Sequence, residues 1–62
     1  MNHIPTPERG DFITVTRDGR RETGIVLNGY TDPLTGDRTV IVRAHGATFE
    51  VAAAACTVVE TA

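Results

Sequence analysis

The chain has 62 residues, of which 40% are hydrophobic and 23% charged, and its formal net charge is −2. A length this small allows one domain, in which about 60% of the unfolded chain's surface can be buried. The mildly acidic charge excludes a protein that coats nucleic acid through phosphate contacts alone, because such proteins are strongly basic.

Cysteine usage and hydropathy favour a cytoplasmic protein without a membrane segment. Cys56 is the single cysteine, so no disulfide can form within the chain, whereas small secreted domains usually carry several. Residues 1–8 lack the basic and apolar regions of a signal peptide. No segment approaches the roughly 20 apolar residues that cross a bilayer. We therefore expect a cytoplasmic location and no membrane partner.

Residues 1–8 contain Pro5 and Pro7, each of which fixes its own φ and pushes the preceding residue toward extended backbone. The pattern predicts a flexible N-terminal arm, with a lead-in strand or a partner-binding arm as alternatives. Residues 9–62 form the predicted domain.

Two strands joined by a tight turn are predicted next. Residues 11–17 alternate with period two and are rich in β-branched side chains, which is typical of a strand. Asp18-Gly19 suits a two-residue hairpin turn, and 21–28 is the second predicted strand. Gly24 inside that strand predicts a bulge or a sharp bend.

Residues 29–37 are rich in turn-forming residues and are predicted to be the principal loop. Two further strands are predicted at 38–44 and 47–51, separated by a turn at His45-Gly46.

The alanines at 52–55 favour helix, but they are too few for a stable one, so a single 3₁₀ turn is predicted there. Residues 56–60 are rich in Val and form the last predicted strand. The predicted fold class is all-β, with five short strands and a 3₁₀ turn before the last one.

This layout, with a Gly10-Asp11 opening and the Gly-Ile-Val segment at 24–26, resembles the SH3-like small barrel. Over residues 9–60 it is similar to the KOW-type domains of transcription and ribosomal proteins. The resemblance implies a five-stranded barrel filled by side chains. It also implies a module that contacts RNA, the ribosome or RNA polymerase.

Arginines surround the first predicted turn. Arg17, Arg20 and Arg21 carry guanidinium groups, which can bind phosphate or carboxylate. The alternative is a solvated hairpin tip with local ion pairs to Asp18 and Glu22. The predicted nucleic-acid or partner-binding residues are Arg17, Arg20, Arg21, Tyr30 and Arg38.

Aromatic and apolar positions supply the other candidates. Tyr30 lies in the predicted loop, and loops on a rigid scaffold often carry recognition residues. Its ring suits stacking on a base or filling a partner's pocket, with packing in the core as the alternative. Phe12 and Ile41 are predicted on the outer face of neighbouring strands, where exposed apolar residues indicate an interface.

No residue pattern indicates catalysis. Zinc needs three or four ligands at characteristic spacing, which His3, His45 and Cys56 do not provide. Cys56 has no activating cation near it in sequence, so we expect an inert, buried thiol. Serine is absent. We predict no metal, no cofactor and no enzymatic activity.

Two enzyme families are similar to parts of this chain. The plasmid-borne, trimethoprim-insensitive dihydrofolate reductase is similar in size and strand order. It lines its shared pore with Val-Gln-Ile-Tyr, however, where residues 48–51 here are Thr-Phe-Glu-Val. Endoribonuclease toxins begin with an Arg-Gly-Asp-like strand start, as residues 9–11 do, but they are much longer.

We predict a non-enzymatic binding module that contacts nucleic acid or the transcription and translation machinery through the hairpin at 17–21 and the loop at 29–37. The alternative is a structural or accessory subunit, such as a phage head or tail component or a small subunit of an enzyme. A protein partner or larger assembly fits both. Binding of nucleic acid depends on the local Arg patch, and self-association stays open.

Overall fold

The computed structural model describes residues 6–61, which form one antiparallel sheet. Its strands follow the order β4-β3-β2-β1-β5. The all-β class, with a 3₁₀ turn before the last strand, is confirmed. The elements in chain order are β1 (Phe12–Arg17), β2 (Arg20–Thr31), β3 (Arg38–Ala44), β4 (Ala47–Ala52), the 3₁₀ turn (Ala53–Ala55) and β5 (Cys56–Glu60).

The sheet has two free edges, β4 and β5. Although these strands are separated in the chain only by the 3₁₀ turn, no ladder joins them within residues 6–61. The sheet is therefore not closed, and the small barrel stays a prediction.

Both predicted hairpin turns are present, and they share one geometry. Asp18 and Gly19 have φ values of 51° and 76°, and His45 and Gly46 have φ values of 51° and 78°. Two successive residues with positive φ are typical of the type I′ turn, whose twist matches that of the flanking strands. Asp and His tolerate this backbone better than most side chains, and Gly adopts it without strain.

Strand β2 is longer than its sequence indicates. It continues through Gly29, Tyr30 and Thr31, so the prediction that these residues begin a loop is wrong. The Asn28 side chain accepts a hydrogen bond from the Gly29 N–H at 2.9 Å, and pairing with β3 continues beyond this dipeptide. Strand partners thus override the local preference for a turn, and the loop shortens to 32–37.

The irregularity in β2 is also displaced from its predicted position. The register with β3 shifts between Val26 and Asn28, whereas Gly24 pairs regularly with Ile13. A Cβ atom at Gly24 would lie 2.7 Å from the carbonyl oxygen of Arg43. Glycine is therefore required there by the close approach of β3 and not by a bulge.

One face of the sheet, here called the inner face, carries the hydrophobic core. Each strand contributes alternate residues to it, as period-two geometry requires. Complete burial of a Val or Ile side chain stabilises the fold by about 1.5–3 kcal/mol. The buried cluster consists of Ile13, Val15, Val26, Val40, Val42, Ala53 and Cys56, with Phe49, Val51 and Val58 packed against it.

The segment before β1 is fixed to β2 by the backbone. The Gly10 N–H donates to the Val26 carbonyl at 2.8 Å, and the Val26 N–H donates to the Asp11 carbonyl at 2.9 Å. The buried Asp11 carboxylate accepts a hydrogen bond from the Glu8 N–H at 2.9 Å. The Gly-Asp opening therefore has a structural role. Of the predicted arm at 1–8, only residues 6–8 lie within the described part of the chain.

Candidate functional site

The arginines of the β1–β2 hairpin are divided between the two faces of the sheet. Arg17 belongs to the inner face, where its Nε lies 2.8 Å from Glu22 Oε2. Its guanidinium carbon also lies 3.9 Å from the centroid of the Phe49 ring. An ion pair and a cation–π contact together hold this side chain within the fold, so the structure does not leave Arg17 free for a partner.

Arg20 and Arg21 are exposed. Arg21 pairs with Thr16 of β1, on the face opposite the core, which is here called the outer face. Within residues 6–61 neither guanidinium makes a hydrogen bond or an ion pair. Two of the three arginines predicted at this turn are thus available for binding.

Arg38 is half-buried at the start of β3. Its Nε donates to the carbonyl of Pro7, which is itself buried, at 3.4 Å. A Cβ at Gly29 would lie 2.7 Å from Arg38 Nη2, so the side chain also lies over β2. Arg38 holds the segment before β1 against the sheet, away from Arg20 and Arg21.

Tyr30 lies on β2 and not in a loop, with 51% of its surface exposed. Its hydroxyl reaches across β3 and donates to Glu50 Oε1 of β4 at 2.5 Å. This hydrogen bond to a carboxylate is the main reason that the pKa of Tyr30 is raised above its ordinary value of 10.0. The ring is therefore exposed but fixed, and packing in the core is excluded.

The predicted interface residues are only partly exposed. Phe12 is 43% exposed, but Ile41 is half-buried. The prediction that the two residues lie on neighbouring strands is wrong, because β2 lies between β1 and β3. Ile25 of β2 pairs directly with Phe12, and these two side chains form an apolar strip on the outer face, whereas Ile41 pairs with Asn28. Sequence reasoning missed Ile25, although the alternation around the inner-facing Val26 indicated it.

A small polar depression lies on the outer face beside the hairpin. Its volume is about 120 Å³ and its accessible lining is almost wholly polar. Sequence reasoning missed this feature too, although the Thr-Val-Thr alternation in β1 was the available signal. The depression is lined by Thr14, Val15, Thr16, Arg21, Ala55 and Thr57.

A larger cleft, of about 770 Å³, lies between the segment before β1, the 32–37 loop and the 3₁₀ turn. Cys56 lines it and is buried, with its Sγ donating to the Ala52 carbonyl at 3.6 Å. Burial raises the pKa of the Cys56 thiol, which disfavours the reactive thiolate. The cleft holds no activated nucleophile among the residues described.

Neither a metal site, a membrane-spanning helix nor a relative assigns a function to the described residues. In the described part of the chain no three His, Cys, Asp or Glu side chains come together as a set of metal ligands. Nor do residues 6–61 contain a helix with the length and apolarity needed to span a membrane. Compared with protein-family models, curated proteins and solved structures, the chain has no match in any of the three.

Proposed function

We propose that the chain is a non-enzymatic binding module built as an SH3-like small barrel of the KOW type. Three features support the barrel. The first and last strands are neighbours in the sheet. Strand β2 has 12 residues and a register shift, so it can bend and take part in both halves of a barrel. The core cluster joins β1, β2, β3 and β5 with the 3₁₀ turn.

The module contacts nucleic acid, alone or as part of the transcription or translation machinery, through the end of the β1–β2 hairpin. The observation that carries this proposal is that Arg20 and Arg21 are exposed and unpaired in the described residues, while Arg17 and Arg38 have internal partners. Because the net charge is −2, attraction is local to the hairpin. Two phosphate contacts on a single strand give a log–log salt slope of about −1.4.

Fluorescence anisotropy with a labelled single-stranded RNA oligonucleotide tests this proposal. We expect binding in low salt, and we expect the affinity to fall as the salt concentration rises, with the log–log slope of about −1.4 given above. Binding is lost in the double variant Arg20→Ala/Arg21→Ala. Arg43→Ala is the matched control, because Arg43 is also exposed but lies on β3 away from the hairpin. Absence of binding in low salt, or equal loss in the control, would contradict the proposal.

The apolar strip of the outer face favours a second candidate function. Phe12 and Ile25 pair across β1 and β2, and the exposed Tyr30 lies on the same face. Such a surface suits a structural or accessory subunit that contacts another protein or a second copy of the chain. Light scattering tests self-assembly: a concentration-dependent mass that returns to the monomer in Phe12→Glu supports it, and a monomer at high concentration contradicts it.

A further inference from the structure

Four polar side chains converge around the depression on the outer face. Thr14 and Thr16 are two residues apart on β1, so both point to the same face. Thr57 of β5 pairs with Thr14, and Arg21 of β2 pairs with Thr16. Three adjacent strands, β2, β1 and β5, thus bring three hydroxyls and one guanidinium to one place.

The chemistry of this group favours an anion. Hydroxyls and a guanidinium are hydrogen-bond donors, and the guanidinium adds a positive charge. No carboxylate lines the depression, because Glu22 faces the other side of the sheet and pairs with Arg17. None of the four side chains has a hydrogen-bond partner within residues 6–61. The donors are therefore available to a ligand.

The size of the depression limits that ligand. Its volume of about 120 Å³ is well below the roughly 300–1,000 Å³ of typical small-molecule pockets. This space accommodates one tetrahedral oxyanion and is too small for a nucleoside. Bidentate contact from a guanidinium to two oxygens of one phosphate group is a common and strong arrangement.

We propose that Thr14, Thr16, Arg21 and Thr57 form a pocket for a single phosphate group of a nucleic-acid backbone. That the phosphate group belongs to a nucleic acid rests on the proposed function. The pocket itself rests only on the four side chains named here. Arg20 lies outside the pocket, because it pairs with the inner-facing Arg17, and its phosphate contact is separate from the one made in the pocket.

Amide NMR spectra recorded during titration with inorganic phosphate, at constant ionic strength against chloride, test the pocket. We expect saturable shifts at the four pocket residues and at least tenfold weaker binding in Thr14→Val/Thr57→Val. Valine keeps the shape of threonine and its preference for strands, so the sheet is retained. Thr48→Val, an exposed threonine on β4, is the control. Shifts no larger than with chloride, or unchanged binding in the double variant, would overturn the pocket.

The RNA oligonucleotide separates this proposal from the function on which it rests. Weaker RNA binding in both Thr14→Val/Thr57→Val and Arg20→Ala supports both. If RNA binding depends on Arg20 and is unaffected by the threonine variant, the pocket is overturned and the function stands. If inorganic phosphate saturates the pocket but RNA does not bind in low salt, the pocket stands with free phosphate as its ligand, and the nucleic-acid function is overturned.

Discussion

The inner and outer faces of the sheet are built from the same strands, but near the β1–β2 hairpin they differ in chemistry. In β1, Ile13 and Val15 are buried on the inner face while Thr14 and Thr16 point outward. The same division applies to arginine: Arg17 has an ion pair and a ring contact, whereas Arg21 is unpaired within the described chain. The inner face carries the hydrophobic core, and the outer face carries the threonines and Arg21, which have no partner within the described chain.

The largest effect is expected where the inner face has no space. In Gly24→Ala the new Cβ meets a backbone oxygen and a Val42 methyl, both at 2.7 Å, and we expect a loss of about 2–3 kcal/mol in the free energy of unfolding. In Gly29→Ala the nearest atom is the end of the Arg38 side chain, which can move, so the loss is smaller. Urea denaturation measures both, and equal losses would contradict this account.

Removal of the same atoms from a buried and from an exposed position tests the importance of the core. Val42 is fully buried, and Val59 is 54% exposed. We expect Val42→Ala to lower the free energy of unfolding by about 2 kcal/mol, because it loses buried methyl groups and leaves a cavity. Val59→Ala is expected to change it by less than about 0.5 kcal/mol. Similar values for the two variants would contradict the importance of burial at Val42.

Two of the three hairpin arginines provide a smaller contrast. Arg17→Ala removes an ion pair and a cation–π contact and leaves the half-buried Glu22 without its partner, for an expected loss of about 1–2 kcal/mol. Arg21→Ala is expected to change stability by less than about 0.5 kcal/mol while weakening RNA and phosphate binding. A thermal-unfolding curve and the anisotropy assay together check that the two effects separate. A stability loss in Arg21→Ala as large as that in Arg17→Ala would contradict the separation.

The smallest effect concerns ionisation on the outer face. The neutral Tyr30 hydroxyl donates to Glu50, so the folded protein favours the neutral form and the pKa lies above 10.0. Its contribution to stability is complete below the unfolded pKa and is lost as the pH rises through the raised value. Ultraviolet absorbance of the phenolate follows this titration.

We expect Glu50→Gln to lower the pKa of Tyr30, because the carboxylate charge is removed. Asp32→Asn is the control, since Asp32 raises the pKa of Tyr30 only through a weaker coulombic effect. A pKa unchanged by Glu50→Gln, or lowered more by Asp32→Asn, would contradict the assignment.

Local patterns predicted the parts of the fold that local chemistry controls. The dipeptides Asp18-Gly19 and His45-Gly46 predicted both hairpin turns correctly, because the tolerance of positive φ depends on the type of residue at the turn. The alternation of Val40 and Val42 gave the inner face of β3. The predictions of a bulge at Gly24 and of a strand that ends at Asn28 were wrong. Both features depend on how β3 packs and pairs against β2, and a short window of sequence does not contain that information.

The candidate site was predicted only in part for the same reason. Arg20 and Arg21 were identified correctly as exposed groups. The internal contacts of Arg17 with Phe49 and of Arg38 with Pro7 join residues more than 30 positions apart, and the sequence does not show such pairs. The phosphate pocket likewise requires the pairing of β1 with β5, which only the topology supplies.

That pairing has a consequence for folding. Strand β1 lies between β2 and β5, and β5 follows the other four strands in the chain. Until β5 pairs with β1, the backbone donors and acceptors along one side of β1 have no partner, and such an edge is prone to pair with other chains. Docking of only five residues, Cys56–Glu60, therefore covers an edge that favours aggregation and brings Thr57 beside Thr14.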